Sequence, residues 1–109
     1  MKTNTIYNSS SENMSQIDDK SVKLVVTSPP YNIDIQYGNK TSKGQVVSSK
    51  GVKYKDNLDE DTYRNMLRTV FNECKKKITN DGSIWVNIKN RVDDGIIITP
   101  IWIMDIFED

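Results

Sequence analysis

The sequence predicts an α/β layered fold with a largely parallel sheet, and three observations lead there. Residues 22–27 and 83–89 are apolar runs of strand length. Between them, residues 59–78 place apolar side chains at spacings of three and four, the period of a helix buried on one face. Clusters of Asn, Asp, Gly, Ser and Pro separate these segments, as turns do.

Taken in order, Thr5-Ile6-Tyr7 is a short strand candidate. Ser9-Ser10-Ser11-Glu12 has the spacing of a capping box, so a brief helix to Ile17 is expected. Asp18-Asp19-Lys20-Ser21 is a turn, and residues 22–27 form the next strand. Interrupted only by Lys23, that strand suits a parallel neighbour and cover on both faces. Residues 28–57 are long, polar and without periodicity, and loops of that length in a small domain are usually functional or disordered.

Asp59 is placed to cap the main helix, with Glu60 and Asp61 in the first turn, where the helix dipole favours negative charge. Tyr63, Met66, Leu67, Val70, Phe71, Cys74 and Ile78 form its apolar stripe. Lys75, Lys76 and Lys77 suit its C-terminal end, and Asn80-Asp81-Gly82 is expected to stop it. Residues 83–89 are the third strand, with Trp85 expected in the core. Asn87 and Asn90, at the end of this strand and in the polar turn that follows, are open to ligand contact, with a turn role the favoured reading. Thr99-Pro100 starts a last helix, residues 101–109, which holds Trp102 in the core and reaches the end of the chain without a stop signal.

A chain of 109 residues makes at most one small domain. Fifteen basic and fifteen acidic residues cancel, so overall charge selects no partner. Local charge is more telling. Lys40, Lys43, Lys50, Lys53 and Lys55 lie in a stretch without acids, followed by four acids between Asp56 and Asp61. These five lysines are candidate phosphate contacts, the alternative being a solvated loop. The lone Cys74 excludes an internal disulfide, and with no histidine a metal site is not expected. No apolar run approaches membrane-spanning length and the start lacks a signal-peptide core, so a soluble, cytoplasmic protein is expected.

The stretch with most chemistry is Thr27-Ser28-Pro29-Pro30-Tyr31-Asn32. Proline fixes its own backbone and holds the preceding residue extended. Pro29 and Pro30 also lack N–H groups, which biases the corner toward hydrogen-bond acceptors. A rigid set of acceptors suits a ligand that donates, such as an amine, and Tyr31 adds a flat face beside them. A flat ring with an exocyclic amine is a nucleobase. In α/β sheets, ligands sit beyond the carboxyl ends of the strands, where this corner lies.

Ser28-Pro29-Pro30-Tyr31 resembles motif IV of the DNA methyltransferases that methylate the exocyclic amine of cytosine (N4) or adenine (N6). The wider match to that family covers Val26 to Asn32 and the helix, glycine turn and strand from Asp59 to Ile88. The resemblance implies a partial S-adenosylmethionine-dependent methyltransferase fold, Rossmann-like and incomplete. It also implies DNA as substrate and Ser28, Pro29, Pro30 and Tyr31 as the catalytic residues. Serine at the first motif position leans toward cytosine N4, with adenine N6 the alternative. The family's acidic cofactor motif is replaced here by Ser9-Ser10-Ser11. Its Phe-x-Gly-x-Gly loop is absent, since glycines 38, 44, 51, 82 and 95 include no Gly-x-Gly pair.

Residues 1–109 are therefore expected to be the N-terminal catalytic portion of a longer enzyme, with 38–57 a flexible basic loop. A missing C-terminal segment or a second chain would complete the cofactor site, and the chain alone is expected to be inactive. A complementing methyltransferase half or a restriction endonuclease are the partners implied. From other classes, an inactive remnant or a protein-binding module stays open. Pro-Pro-Tyr also occurs in WW-domain ligands, but in proline-rich flexible segments rather than behind an apolar strand. Asn32 and Asp34 are read as either substrate contacts or loop-shaping residues.

Overall fold

The computed structural model describes residues 1–35, 39–40, 46–48 and 54–108. Its strands are β1 (Val22–Thr27), β2 (Asn39–Lys40), β3 (Val46–Ser48), β4 (Ile78–Val86), β5 (Arg91–Asp93) and β6 (Ile96–Ile98). Helix α1 (Glu60–Lys77) precedes β4. A 3₁₀ turn (Pro100–Ile103) leads into the short α2 (Met104–Phe107).

The apolar stripe of α1 builds the core. Tyr63, Leu67, Phe71 and Cys74 are buried, together with Ile103 and Ile106 from the C-terminal turns. Val25 from β1 and Ile84 and Val86 from β4 pack against this cluster. Each large apolar side chain so buried contributes about 1.5–3 kcal/mol. Phe71, 1% exposed, also meets the Phe107 ring at 5.5 Å.

Both ends of α1 are closed by partners near in space. Asp59 accepts a hydrogen bond from the Thr62 N–H at 3.1 Å, and hydrogen bonding by Thr62 holds its carboxyl below the usual range. At the other end, the N–H groups of Lys20 and Ser21 donate to the carbonyls of Lys76 and Lys77 at 3.0 and 2.9 Å. Lys77 is buried, and its ammonium donates to Asp19 at 2.6 Å. The turn before β1 therefore terminates α1, and Ile78 enters β4 with extended backbone. The expected stop at Asn80-Asp81-Gly82 is corrected accordingly, since those residues lie within β4.

β1 and β4 pair in parallel, with Leu24 opposite Ser83, Val25 opposite Ile84, Val26 opposite Trp85 and Thr27 opposite Val86. The register shifts between Val22 and Leu24, so Asn80-Asp81-Gly82 sits in an irregularity of the ladder. One face of the pair is covered by α1. On the other, Leu24, Val26 and Trp85 are 55%, 72% and 67% exposed. The expectation of β1 covered on both faces, and of Trp85 in the core, is thus overturned. Neighbouring side chains alternate between faces, and the described residues supply a layer on one face only. Trp102 is half-buried, its ring 6.3 Å from that of Tyr63 and the Arg64 guanidinium 4.9 Å above it.

The expected α/β arrangement holds in part, its parallel sheet being the β1–β4 pair. Among the described residues there are three two-stranded sheets, and only β1–β4 is parallel; β2–β3 and β5–β6 are antiparallel. The expected polar turn after the third strand is the β5–β6 hairpin. Its Asp94-Gly95 corner has φ of +50° and +75°, the left-handed pair that suits the twist of a tight hairpin. β4 itself stops at Val86, short of the expected residue 89.

Two further expectations change. Thr5–Tyr7 is not a strand, and residues 9–17 form turns rather than a helix. Ser10 bonds locally to the Glu12 carboxylate and accepts from the Glu12 N–H at 3.2 Å, while the Met14 N–H donates to Glu73 at 3.0 Å. Those side-chain bonds compete with helical ones. The last helix starts at Thr99-Pro100 as expected, but as a 3₁₀ turn, and it ends at Phe107; Asp109 lies outside the described residues. Among the described residues no helix is long and apolar enough to cross a membrane, and no cluster of metal-ligating side chains occurs.

Gly82 gives this architecture a direct test. An added methyl group there would lie 2.5 Å from Ile78 Cγ1 and 2.9 Å from the Lys23 carbonyl oxygen, which is backbone and cannot swing away. Gly82→Ala should therefore lower stability by about 1–3 kcal/mol in urea unfolding. An unchanged midpoint would mean that β1 and β4 approach less closely at the irregularity.

Candidate active site

The corner Ser28-Pro29-Pro30-Tyr31 leaves β1 at its carboxyl end, where the paired strand β4 also ends. Pro29 is buried, Pro30 and Tyr31 are half-buried, and Ser28 is exposed. These four residues line a cavity of about 460 Å³ with Ile33, Ile35, Asp56 and Lys89. The structure thus brings together all four residues predicted for the catalytic corner.

The corner is anchored from the core. The Tyr63 hydroxyl donates to the Pro30 carbonyl at 2.6 Å. Burial, with lesser contributions from Tyr54, Asp56 and Tyr31, pushes the Tyr63 phenol up to about 12, so it remains a neutral donor at neutral pH. Arg91, buried, lies 5.4 Å over the Tyr63 ring and bonds to Glu60 at the start of α1. The anchor leaves the Pro29 carbonyl without a donor among the described residues.

The chain beyond Tyr31 is held by two polar clamps. The buried Asp56 carboxylate accepts from the N–H groups of Asn32, Ile33 and Ile35 at 3.0, 3.0 and 2.9 Å. The Asp34 N–H donates to the Asp56 carbonyl at 2.6 Å. Asn32 reaches the other way, donating to the Leu58 carbonyl at 2.7 Å and accepting from the Leu58 N–H at 2.8 Å. Asn32 and Asp34 both have positive φ, +59° and +61°, which Asn and Asp tolerate better than most residues. Of the two roles open to them in the sequence, the observed contacts match loop shaping.

Two residues beyond β4 reach the corner. The Asn87 N–H donates to the Thr27 carbonyl at 2.8 Å, and its side-chain amide lies 3.3 Å from Ser28 Oγ and 3.4 Å from the Tyr31 hydroxyl. The Lys89 ammonium is 5.7 Å from the centre of the Tyr31 ring. Sequence reasoning favoured a turn role for Asn87 over ligand contact, and passed over Lys89, Asp56 and Arg91. The parallel pairing of two strand ends is the signal that could have found Asn87 and Lys89. Asp56 and Arg91 act across the fold and leave no local mark.

Lys55 is exposed. Lys40 falls in β2, and Lys43, Lys50 and Lys53 lie outside the described residues. Cys74 is buried in the core, where desolvation raises its thiol pKa, so it is no candidate nucleophile.

A parallel strand pair joined through a helix, ending in a rigid, acceptor-rich corner beside an aromatic ring, defines a protein of the α/β class. Residues 22–108 match the family model described as DNA methylase, the N6/N4 methyltransferase type. The chain is also 35% identical over 81 residues to the type II methyltransferase M.Cfr9I of Citrobacter freundii. That match takes in 69% of this chain and 21% of the relative. The chain belongs to the N6/N4 amino-methyltransferase family of DNA methylases. It spans about a fifth of the length of the curated relative.

The two anchors of the corner give separate tests. With its folded-state pKa raised from 10.0 to about 12, Tyr63 contributes stability that is complete below pH 10 and lost as pH rises toward about 12. Urea midpoints measured across that window should fall more steeply in the wild type than in Tyr63→Phe; equal slopes would remove Tyr63 as the titrating anchor. Asp56→Ala should cost about 1.5–3 kcal/mol, because its buried carboxylate accepts from three part-buried N–H groups at once. Amide exchange at Asn32, Ile33 and Ile35 should accelerate together, and retained protection there would contradict the clamp.

Proposed function

We propose that the protein serves as a site-specific DNA methyltransferase, directing a methyl group from S-adenosylmethionine to the exocyclic amine of a flipped base. Cytosine N4 is the favoured target, from the serine at position 28, and adenine N6 the alternative. One observation supports this above the others: Ser28 Oγ and the Pro29 carbonyl stand on a rigid corner beside the Tyr31 ring, at a cavity of about 460 Å³.

An aromatic amine is a weak nucleophile because its lone pair is delocalised into the ring. Acceptors at Ser28 and Pro29 would take its hydrogens, draw the lone pair out of conjugation and fix its direction. Tyr31 would hold the base plane by stacking. Positioning and electrostatics then provide most of the rate, with no covalent enzyme intermediate. Tyr63 takes no part in this chemistry; its bond to the Pro30 carbonyl holds the corner in place behind the acceptors nearest β1.

S-adenosylmethionine, when bound, supplies an electrophilic methyl group. The described residues do not fit a seat for it. Close approach of backbone to such a ligand needs a glycine turn, and of the described glycines Gly82 is packed against Lys23 and Gly95 turns a hairpin. Glycines 38, 44 and 51 lie outside the described residues. Completion of the cofactor site by another segment or a second chain is part of the proposal, as are phosphate contacts by Lys40, Lys43, Lys50, Lys53 and Lys55. The relative is a type II methyltransferase, and a restriction endonuclease is the companion proposed here.

Single-turnover methylation beside DNA-binding measurements tests the site in the full-length protein. Ser28→Ala should slow transfer far more than it weakens DNA binding. Tyr31→Ala should lose about 1–3 kcal/mol of base stacking. Transfer at wild-type rate by both variants would remove the corner from the reaction.

A further inference from the structure

We infer that Asn87 is a positioning residue for the amine-binding corner, acting through Ser28 and Tyr31; this rests on the methyltransferase reading above. Three observations lead to it. Among the described residues Asn87 is the one whose side chain is within hydrogen-bond distance of both Ser28 Oγ and the Tyr31 hydroxyl, at 3.3 and 3.4 Å. Its backbone is pinned independently, by the bond from its N–H to the Thr27 carbonyl at 2.8 Å. And its backbone φ is not positive, so the left-handed turn geometry that often explains an asparagine is absent here.

The amide group suits the task. It carries two N–H donors, one for each hydroxyl oxygen. A serine hydroxyl has two lone pairs, so Ser28 Oγ can accept from Asn87 and still accept from a substrate amine. Fixing that oxygen sets the direction in which its remaining lone pair points. Holding the Tyr31 hydroxyl fixes the far end of the ring, and so the direction of the long axis of the face on which the base would stack. One side chain therefore sets the spacing between the acceptor and the stacking ring. Asn87 is exposed, so its amide does not repair a buried polar group; the oxygens it meets belong to two residues that line the cavity.

Asn87→Ala and Asn87→Leu in the full-length protein should lower the single-turnover transfer rate by about 10- to 100-fold, the scale of a misplaced reacting group. DNA affinity and melting temperature should stay at wild-type values. Asn87→Asp should retain most of the rate, since a carboxylate can accept the hydroxyl hydrogens of both Ser28 and Tyr31. In a Ser28→Ala, Tyr31→Phe background, Asn87→Ala should cost little more, because the groups it positions are gone. Wild-type transfer by both the Ala and Leu variants would overturn the inference. So would a rate loss that persists undiminished in the double-variant background, or one that tracks a lowered melting temperature. Ser28→Ala and Tyr31→Ala serve as controls: if they too transfer at wild-type rate, the site reading has failed rather than the role of Asn87.

Discussion

Because β1 and β4 run parallel, the chain between them must return along the outside of the pair, and α1 is the segment that makes the return. That constraint organises the rest. The helix has to lay one apolar stripe on the strands, which places Tyr63 at its first turn under the carboxyl end of β1. From there its hydroxyl meets Pro30. The geometry of the corner is thus set by how the helix docks, and the docking by burial of Leu67, Phe71 and Cys74.

Around the corner, the chain is held by groups from distant parts of the sequence. Asp56 and Leu58 precede α1, Asn87 and Lys89 follow β4, and Tyr63 comes from the helix between. No one of these elements would fix the stretch after β1 by itself. Two prolines limit the backbone at Ser28 to Pro30, and the clamps take over where the prolines end. The result is an acceptor set whose directions are settled by the fold itself, so binding there, as proposed, would carry a low ordering cost.

Much of this was legible in the sequence. The span of β1, the Asp59 cap, the α1 stripe and the Thr99-Pro100 start each depend on neighbours within a few residues, and each stands where local chemistry placed it. The corner residues were legible for the same reason. The parts that escaped depend on partners far along the chain. α1 stops because Lys20 and Ser21 meet its last carbonyls, 56 residues away in each case. The N-terminal capping box gave way to turns because Glu73 claimed the Met14 N–H. The β5–β6 hairpin did leave a local signal, Asp94-Gly95 between apolar runs, that the reading as a polar turn undervalued.

The two tryptophans occupy opposite circumstances, and this equips the chain with an internal optical readout. Trp102 is packed between Arg64 and Tyr63, whereas Trp85 stands on the open face of β4. An indole in water emits at longer wavelength than one in an apolar contact. Any partner surface that settles over Leu24, Val26 and Trp85 would therefore announce itself as a blue shift in intrinsic fluorescence, while the Trp102 contribution stayed in place as an internal reference.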